Sequence, residues 1–432
     1  MKKLLALICA AALSFTLTGC NALDGNIDTL LNPPAPTGQM GLVQGALKKS
    51  VKTKFTLKYP TNGDYRSAFI IKDLDGDGVQ EAIALYSTTL DNTTNMHINL
   101  ITNNGEEWTS RGSSSIVATG VEKVDFADIN GDGKLEVIVG WSVYGSVEKR
   151  LSVYVLDSNG ITSRIQESYS SYICRDFTKD KTLDVLIISK DSANSTASAK
   201  LIDLTSEGAE ELGSCALDPA VSEYRAPVIF ELDGRTAIYL DGTKGAGTIT
   251  EMLLVDEGLI NLSYNEDSAS HFDTFRTGNT PISDVNGDGN YEIPISYLLT
   301  QAVAGTADNI YKTNWYCYNG AEFVMTLSAV TNQQDGYYLE IPEKWDGAIT
   351  VTSNTTERLR TIFRLNTETG TSAEELVRIW AISKENGLIP TFEGSFKIAE
   401  NDKFTYYAAL GSYTGKEAIT KDELKELFNL II

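Results

Sequence analysis

Nine residues recur three times in this chain and limit what it can fold into. Asp128-Ile129-Asn130-Gly131-Asp132-Gly133-Lys134-Leu135-Glu136 has close copies at Asp73-Leu74-Asp75-Gly76-Asp77-Gly78-Val79-Gln80-Glu81 and at Asp284-Val285-Asn286-Gly287-Asp288-Gly289-Asn290-Tyr291-Glu292. Each copy places an oxygen-bearing side chain at positions 1, 3, 5 and 9, with glycine at 4 and 6. In a chain curling round a point, alternate side chains face inward, so the four oxygens converge. The carbonyl of position 7 can supply a fifth. Hard oxygen ligands in a flexible loop suit calcium better than magnesium, which demands octahedral geometry and keeps its waters. The expected ligands are therefore Asp73, Asp75, Asp77 and Glu81 with the Val79 carbonyl; Asp128, Asn130, Asp132 and Glu136 with the Lys134 carbonyl; and Asp284, Asn286, Asp288 and Glu292 with the Asn290 carbonyl.

The flanking residues decide the setting. An EF-hand needs a bidentate Glu at position 12 and a following helix. Here position 12 is Ala84, Val139 or Ile295. Short β-branched runs follow the loops, Glu81–Tyr86 and Glu136–Trp141, and others precede them, Ala68–Ile71 and Val124–Ala127. Their length and composition favour strands. Each unit thus reads strand, calcium loop, strand.

These units recur at a spacing near 50 residues. Asp176-Phe-Thr-Lys-Asp-Lys-Thr-Leu-Asp184 is a worn fourth copy, with Lys179 and Lys181 in the glycine positions. Those lysines add positive charge beside the ion and argue against tight calcium there. Residues 227–240 keep flanking strands around a short Asp233-Gly234 hairpin turn. Four strands can be placed in one repeat, at 136–141, 151–156, 161–167 and 172–177. A repeat of this length with four strands is a propeller blade.

The run Phe126-Ala-Asp128-Ile-Asn-Gly-Asp-Gly-Lys-Leu-Glu136-Val-Ile-Val139 resembles the FG-GAP/VCBS repeats of integrin α-subunits and bacterial surface proteins. The resemblance covers roughly residues 55–335 and implies a β-propeller with calcium in some blades. The last ligand here is Glu, where that family usually has Asp. The expected fold is mainly β: a propeller over 51–335 with calcium loops between strands, then a small α+β domain over 336–432.

The chain begins with a basic Met1-Lys2-Lys3, an apolar run from Leu4 to Thr16, and Leu17-Thr18-Gly19-Cys20. The apolar run is too short to span a bilayer comfortably. The last four residues resemble a bacterial lipobox, which implies cleavage before Cys20 and lipid on its sulfur. Residues 1–20 are the expected signal peptide. Residues 21–50 are a spacer, Pro-rich at 32–38 and helical over 41–49. Several acyl chains together would hold the protein at the outer face of the membrane.

The formal charge is −22. Loss of Lys2 and Lys3 with the signal peptide takes it to about −24. Such acidity disfavours nucleic acid and anionic lipid as partners. Cys174, Cys215 and Cys317 have no motif spacing and read as buried thiols; a Cys174–Cys215 bridge is the alternative. In the C-terminal part, Ser372-Ala-Glu-Glu375 has capping-box spacing. Leu376, Ile379, Trp380 and Ser383 then fit a helix ended by Asn386-Gly387. Thr420 with Glu423 caps a last helix. Trp345 and Trp380 are expected in the core.

Catalytic signatures are missing. Of the two histidines, His97 and His271, neither sits in a metal or triad pattern. The carboxylate pairs are accounted for by metal coordination, and a bound cation favours their ionised form. The favoured function is a lipid-anchored binding or adhesion module for a protein or glycan at the cell surface. The alternatives are a propeller-type polysaccharide-degrading enzyme and a docking component of the envelope.

Overall fold

The computed structural model describes residues 38–90, 93–143, 149–158, 160–205, 208–263, 272–277, 280–299, 310–385 and 394–431. The signal sequence, Cys20, the Pro-rich run 32–37, His271 and the Asn386-Gly387 helix stop lie outside them. The chain divides into two compact units, one of residues 1–128 and 132–166, the other of residues 129–131 and 167–432.

The first unit opens with helix α1, Gln39–Ser50. Its Val43, Ala46 and Leu47 pack with Phe69, Ala82, Ala84, Tyr86 and Trp108. The first sheet holds β1 (Thr56–Leu57), β2 (Phe69–Lys72), β3 (Glu81–Leu90), β4 (Thr93–Asn103) and β5 (Trp108–Val117). β1 and β2 share one edge of β3, so they form a single split outer strand. Only two residues of β1 pair, because β2 occupies the rest of that edge. The second sheet is a simple antiparallel meander of β6 (Gly120–Ala127), β7 (Glu136–Ser142), β8 (Lys149–Asp157) and β9 (Gly160–Tyr169). Ile83, Leu85, Ile98, Val124, Val137, Val139 and Trp141 form one buried cluster in this unit.

The second unit continues the pattern. Its first sheet is β10 (Ser171–Arg175), β11 (Asp184–Asp191), β12 (Thr196–Leu204) and β13 (Ala209–Leu217). The next holds β14 (Glu223–Tyr224), β15 (Val228–Leu232), β16 (Arg235–Lys244), β17 (Gly247–Asp256), β18 (Gly258–Asn261) and β19 (Arg276–Thr277). β14 and β15 again share one edge of their neighbour. The β15–β16 turn has Asp233 at φ 48° and Gly234 at φ 78°, the left-handed pair that a two-residue hairpin needs. Then come β20 (Ile293–Leu298), β21 (Tyr311–Tyr318), β22 (Phe323–Asn332) and β23 (Tyr337–Glu340). The fold is mainly β and of propeller type: successive antiparallel meanders, each four strand positions deep.

The C-terminal residues differ from expectation in two ways. First, the boundary at 335/336 falls inside a sheet. Asp335-Gly336 belongs to the β22–β23 hairpin, so β23 completes the fifth meander. The last strand of the chain then pairs with β23 on its outer edge. Second, the stretch read as a helix from Ser372 to Ser383 is a strand. The closing sheet consists of β24 (Ile349–Asn354), β25 (Leu359–Asn366), β26 (Thr371–Ser383), β27 (Phe396–Glu400) and β28 (Phe404–Leu410), in the order β24-β25-β26-β28-β27. β26 has partners on both sides. Its Val377, Ile379 and Ala381 alternate into the core beside Val351, Ile362 and Tyr406. Partners on both edges, with Leu376 and Trp380 buried as well as Val377, Ile379 and Ala381, outweigh a capping-box coincidence. Helix α2 (Lys421–Leu427) is present with a full capping box between Thr420 and Glu423. It leads into β29 (Phe428–Leu430). Trp345 is fully buried, and its indole N–H donates to the Glu417 carbonyl at 2.6 Å.

Two buried polar features stiffen the second unit. Arg276 on β19 is 1 % exposed. Its Nη2 donates to Asp241 Oδ1 at 2.7 Å, its Nη1 to Thr250 Oγ1 at 2.8 Å and its Nε to the Thr280 carbonyl at 3.1 Å. Elsewhere Glu251 accepts from Tyr224 Oη and from Asn261 Nδ2.

Cys215 is a half-buried thiol and Cys317 a buried one, neither in a disulfide. Burial, with the nearby Glu251 carboxylate, pushes the Cys215 thiol up to about 12. Its thiolate is then about a thousandfold scarcer at pH 8 than that of an ordinary cysteine. A maleimide at pH 8 should leave Cys215 unmodified over the time that labels it fully in urea. Rapid labelling of the folded protein would contradict that burial.

Candidate metal centres

Each loop begins where one strand ends and finishes where the next begins. Glu81 is the first residue of β3 and pairs with Lys72; Glu136 opens β7 and pairs with Ala127. Glu292 forms a bridge with Ser283 just before β20. The ninth position is therefore fixed by the sheet, which buries it: Glu81, Glu136 and Glu292 are each under 4 % exposed.

The interior of the loops repeats bond by bond. Gly78 N–H donates to Asp73 Oδ2 at 3.0 Å, Gly133 N–H to Asp128 Oδ2 at 3.0 Å and Gly289 N–H to Asp284 Oδ2 at 2.9 Å. The amides of Val79, Lys134 and Asn290 donate to the fifth-position carboxylates of Asp77, Asp132 and Asp288 at 2.7, 2.9 and 2.8 Å. Leu74 and Val285 N–H each donate to one oxygen of Glu81 and Glu292 at 2.9 Å. In the third loop Asn286 also donates to Asp288 Oδ2 at 2.9 Å. Asn130 lies at the matching third position of the second loop. Glycine at positions 4 and 6 has φ between 71° and 90° in all three, a left-handed backbone that costs other residues strain.

In the first loop the carboxylates stand close enough to share one cation. Among the described residues, oxygens of Asp73, Asp75 and Glu81 lie within 4.8 Å of one another. Asp128 Oδ1 and Glu292 Oε1 are buried oxygens without a hydrogen-bond partner. A buried carboxylate oxygen left without a partner is costly, and a cation satisfies it. Burial, and then the carboxylates of Asp288 and Asp284, push Glu292 up to about 7. Burial, and then Asp75, Asp77 and Asp73, raise Glu81 as well. A positive ion at the loop centre reverses each of these penalties.

Neighbouring loops are tied together through their backbones. Leu135 N–H, at position 8 of the second loop, donates to the Leu74 carbonyl at position 2 of the first, at 2.8 Å. Leu183 N–H repeats this with the Ile129 carbonyl at 2.8 Å.

Residues 73–139 match a family model described as an FG-GAP-like repeat. The FG-GAP-like segment takes in the first two loops and the strands β3 to β6. No curated protein matches the chain. Similar solved structures include a Bacillus licheniformis rhamnogalacturonan lyase at 12 % identity, TM-score 0.30, covering 58 % of this chain and 64 % of that one. The chain thus spans less than two thirds of that lyase. Rhamnogalacturonan lyase YesW is 12 % identical at TM-score 0.31, covering 84 % and 86 %. The β-propeller domain of a Pyrococcus furiosus trilobed protease is 10 % identical at TM-score 0.26, covering 73 % and 94 %.

Each unit also holds a cleft. One, of about 370 Å³ in the second unit, is lined by Lys179, Arg235, Thr236, Asp256 and Glu257 among others. The sequence does not mark it, because its residues come from separate segments: Thr178 and Lys179 of the worn loop, Leu201 of β12, Leu212 of β13, and the β15–β16 and β17–β18 hairpins. Its charges are engaged with neighbours: Arg235 Nη1 with Asp256 Oδ2 at 3.0 Å, and Lys179 Nζ with Glu231 Oε2 at 2.8 Å. The other, in the first unit, holds His97. Its ring stacks on Tyr86 at 4.7 Å, and its Nε2 meets Thr88 Oγ1 at 2.8 Å. Burial lowers its pKa. A stacked, hydrogen-bonded imidazole of this kind has a structural explanation.

Proposed function

We propose that the chain is a lipid-anchored extracytoplasmic protein that binds a protein or glycan ligand through a calcium-stabilised propeller-type scaffold. One observation carries the calcium part: buried carboxylate oxygens without partners point to a missing positive charge at loops whose backbone repeats three times. Calcium holds each β2–β3-type crossing shut, so the remaining loops present a fixed surface. Affinities of extracellular calcium modules, about 10⁻⁴–10⁻³ M, suit a protein outside the cytoplasm. Binding is favoured over turnover because both cations of the second-unit cleft are held in ion pairs, Arg235 with Asp256 and Lys179 with Glu231. No helix among the described residues is long and apolar enough to cross a membrane. The anchor therefore rests on Cys20 and the lipobox-like residues before it.

Two experiments test the parts separately. In a bacterial host, Cys20→Ala should move the protein from the membrane to the soluble fraction and abolish palmitate labelling. Persistence in the membrane without labelling would reject the anchor. On a panel of soluble glycans, retention without release of oligosaccharide is expected in calcium. Release of unsaturated or reducing products would instead establish an enzyme.

A further inference from the structure

The face of the first sheet that α1 covers does not stay apolar. Under the helix lie Ala82, Ala84, Ile101 and Trp108. Alternation along the strands puts Tyr86 and Thr88 of β3 on the same face as Ala84, and Asn99 and His97 of β4 on the same face as Ile101. These four polar residues line the first-unit cleft, together with Ser50 and Thr53 where the chain leaves α1. Its volume is about 370 Å³. Small-ligand clefts run from about 300 to 1,000 Å³.

The third strand is shaped to the cleft. Ser110 and Ser113 are three residues apart on β5, so a regular strand would point them to opposite faces. The β4–β5 register slips between Leu100 and Ile101: Gly112 pairs with Leu100 and Ser110 with Ile101, which leaves Arg111 as the extra residue. That bulge turns both serines to the cleft. Asn99 is 3 % exposed, and its Oδ1 accepts from Ser110 Oγ at 2.9 Å. A buried amide and a break in the ladder are costs that an apolar face would avoid.

Charge selects the ligand. The chain carries −22 overall, yet among the described residues lining this cleft none is Asp, Glu, Lys or Arg. Burial lowers the pKa of His97, so its imidazole is uncharged at neutral pH. An ionic ligand would find no counter-charge here. The cleft offers six hydroxyls, one amide and one imidazole. Hydroxyls donate and accept alike, and so match a ligand whose own groups do both in every direction. A neutral sugar has that surface.

We propose that the cleft beyond α1 binds one uncharged sugar residue of a glycan, through hydrogen bonds from its hydroxyls and the Asn99 amide. This inference rests on the glycan-binding reading above and gives that ligand a place and a charge. His97, held by Tyr86 and Thr88, is a wall of the site and transfers no proton.

The protein, in calcium, is titrated with cellotetraose, mannotetraose and galactotetraose, and with tetragalacturonate as the charged counterpart. Calorimetry reads affinity. The imidazole C–H resonances read place, since the chain has two histidines and His271→Gln assigns them. A neutral tetrasaccharide should bind more tightly than the uronate and shift the His97 signal alone. Ser113→Phe fills the cleft from an exposed position and should weaken that binding by at least about tenfold. Should it misfold by circular dichroism, Thr53→Phe, also at an exposed position, is the second variant and should do the same. Neutral binding that leaves His97 unshifted and survives the variant overturns the proposal, while the binding reading stands. Preference for the uronate does likewise. If none of the four binds, the proposal falls together with the glycan arm of that reading.

Discussion

Chelation of calcium is expected to lower the melting temperature of the protein steeply, and added calcium to restore it. A ligand that binds only the folded state stabilises it by about 2.7 kcal/mol when present at a hundredfold its dissociation constant. For units of this size that is about 5–10 °C per ion. Without the ion, Asp73, Asp75 and Glu81 crowd one small loop, with Asp77 also acting on Glu81, and the buried Glu292 feels Asp288 and Asp284. Magnesium should restore little, because the loop offers no octahedral cage. Asp132→Ala should remove one ion's share and leave the rest of the calcium response in place. A melting temperature indifferent to chelator and calcium alike would contradict the role given to these loops.

The second large effect is expected far from any loop. Arg276→Ala should cost about 3–5 kcal/mol, because it leaves the Asp241 carboxylate buried beside Arg225 at 4.0 Å instead of the 2.7 Å partner it loses. Thr250 Oγ1 and the Thr280 carbonyl lose a donor in the same change. The double variant Arg276→Met with Asp241→Leu should recover much of the loss, since both charges then leave the interior together. Chemical denaturation followed by tryptophan fluorescence measures all three. A cost under about 1 kcal/mol for Arg276→Ala would mean that the pair does not anchor β19 to β16.

What could be read from the sequence was whatever chemistry fixes locally. Cation ligation demands particular residue types at fixed offsets, so the three loops and their strand neighbours stood out. So did the Asp233-Gly234 hairpin and the Thr420 capping box. The helix read at 372–383 failed because one stretch satisfied two periods. Leu376, Ile379 and Trp380 fit 3.6, while Val377, Ile379 and Ala381 fit 2, and only the flanking strands β25 and β28 decide between them. The break read near residue 335 failed for a related reason: Asp335-Gly336 is a turn, and a turn inside a sheet looks like one between domains. At the fourth loop the two lysines argue by their charge against tight calcium, and Lys179 and Lys181 nonetheless accept a left-handed backbone. The Arg276–Asp241 pair, separated by 35 residues, has no local signal at all.

Diffraction from crystals grown in calcium, with anomalous data sensitive to that ion, tests the central claim most directly. The expected result is one anomalous peak in each loop, with oxygens of Asp73, Asp75, Asp77 and Glu81, and their counterparts at 128–136 and 284–292, about 2.3–2.6 Å away. Loops that keep this backbone yet show no peak in ample calcium would contradict the account.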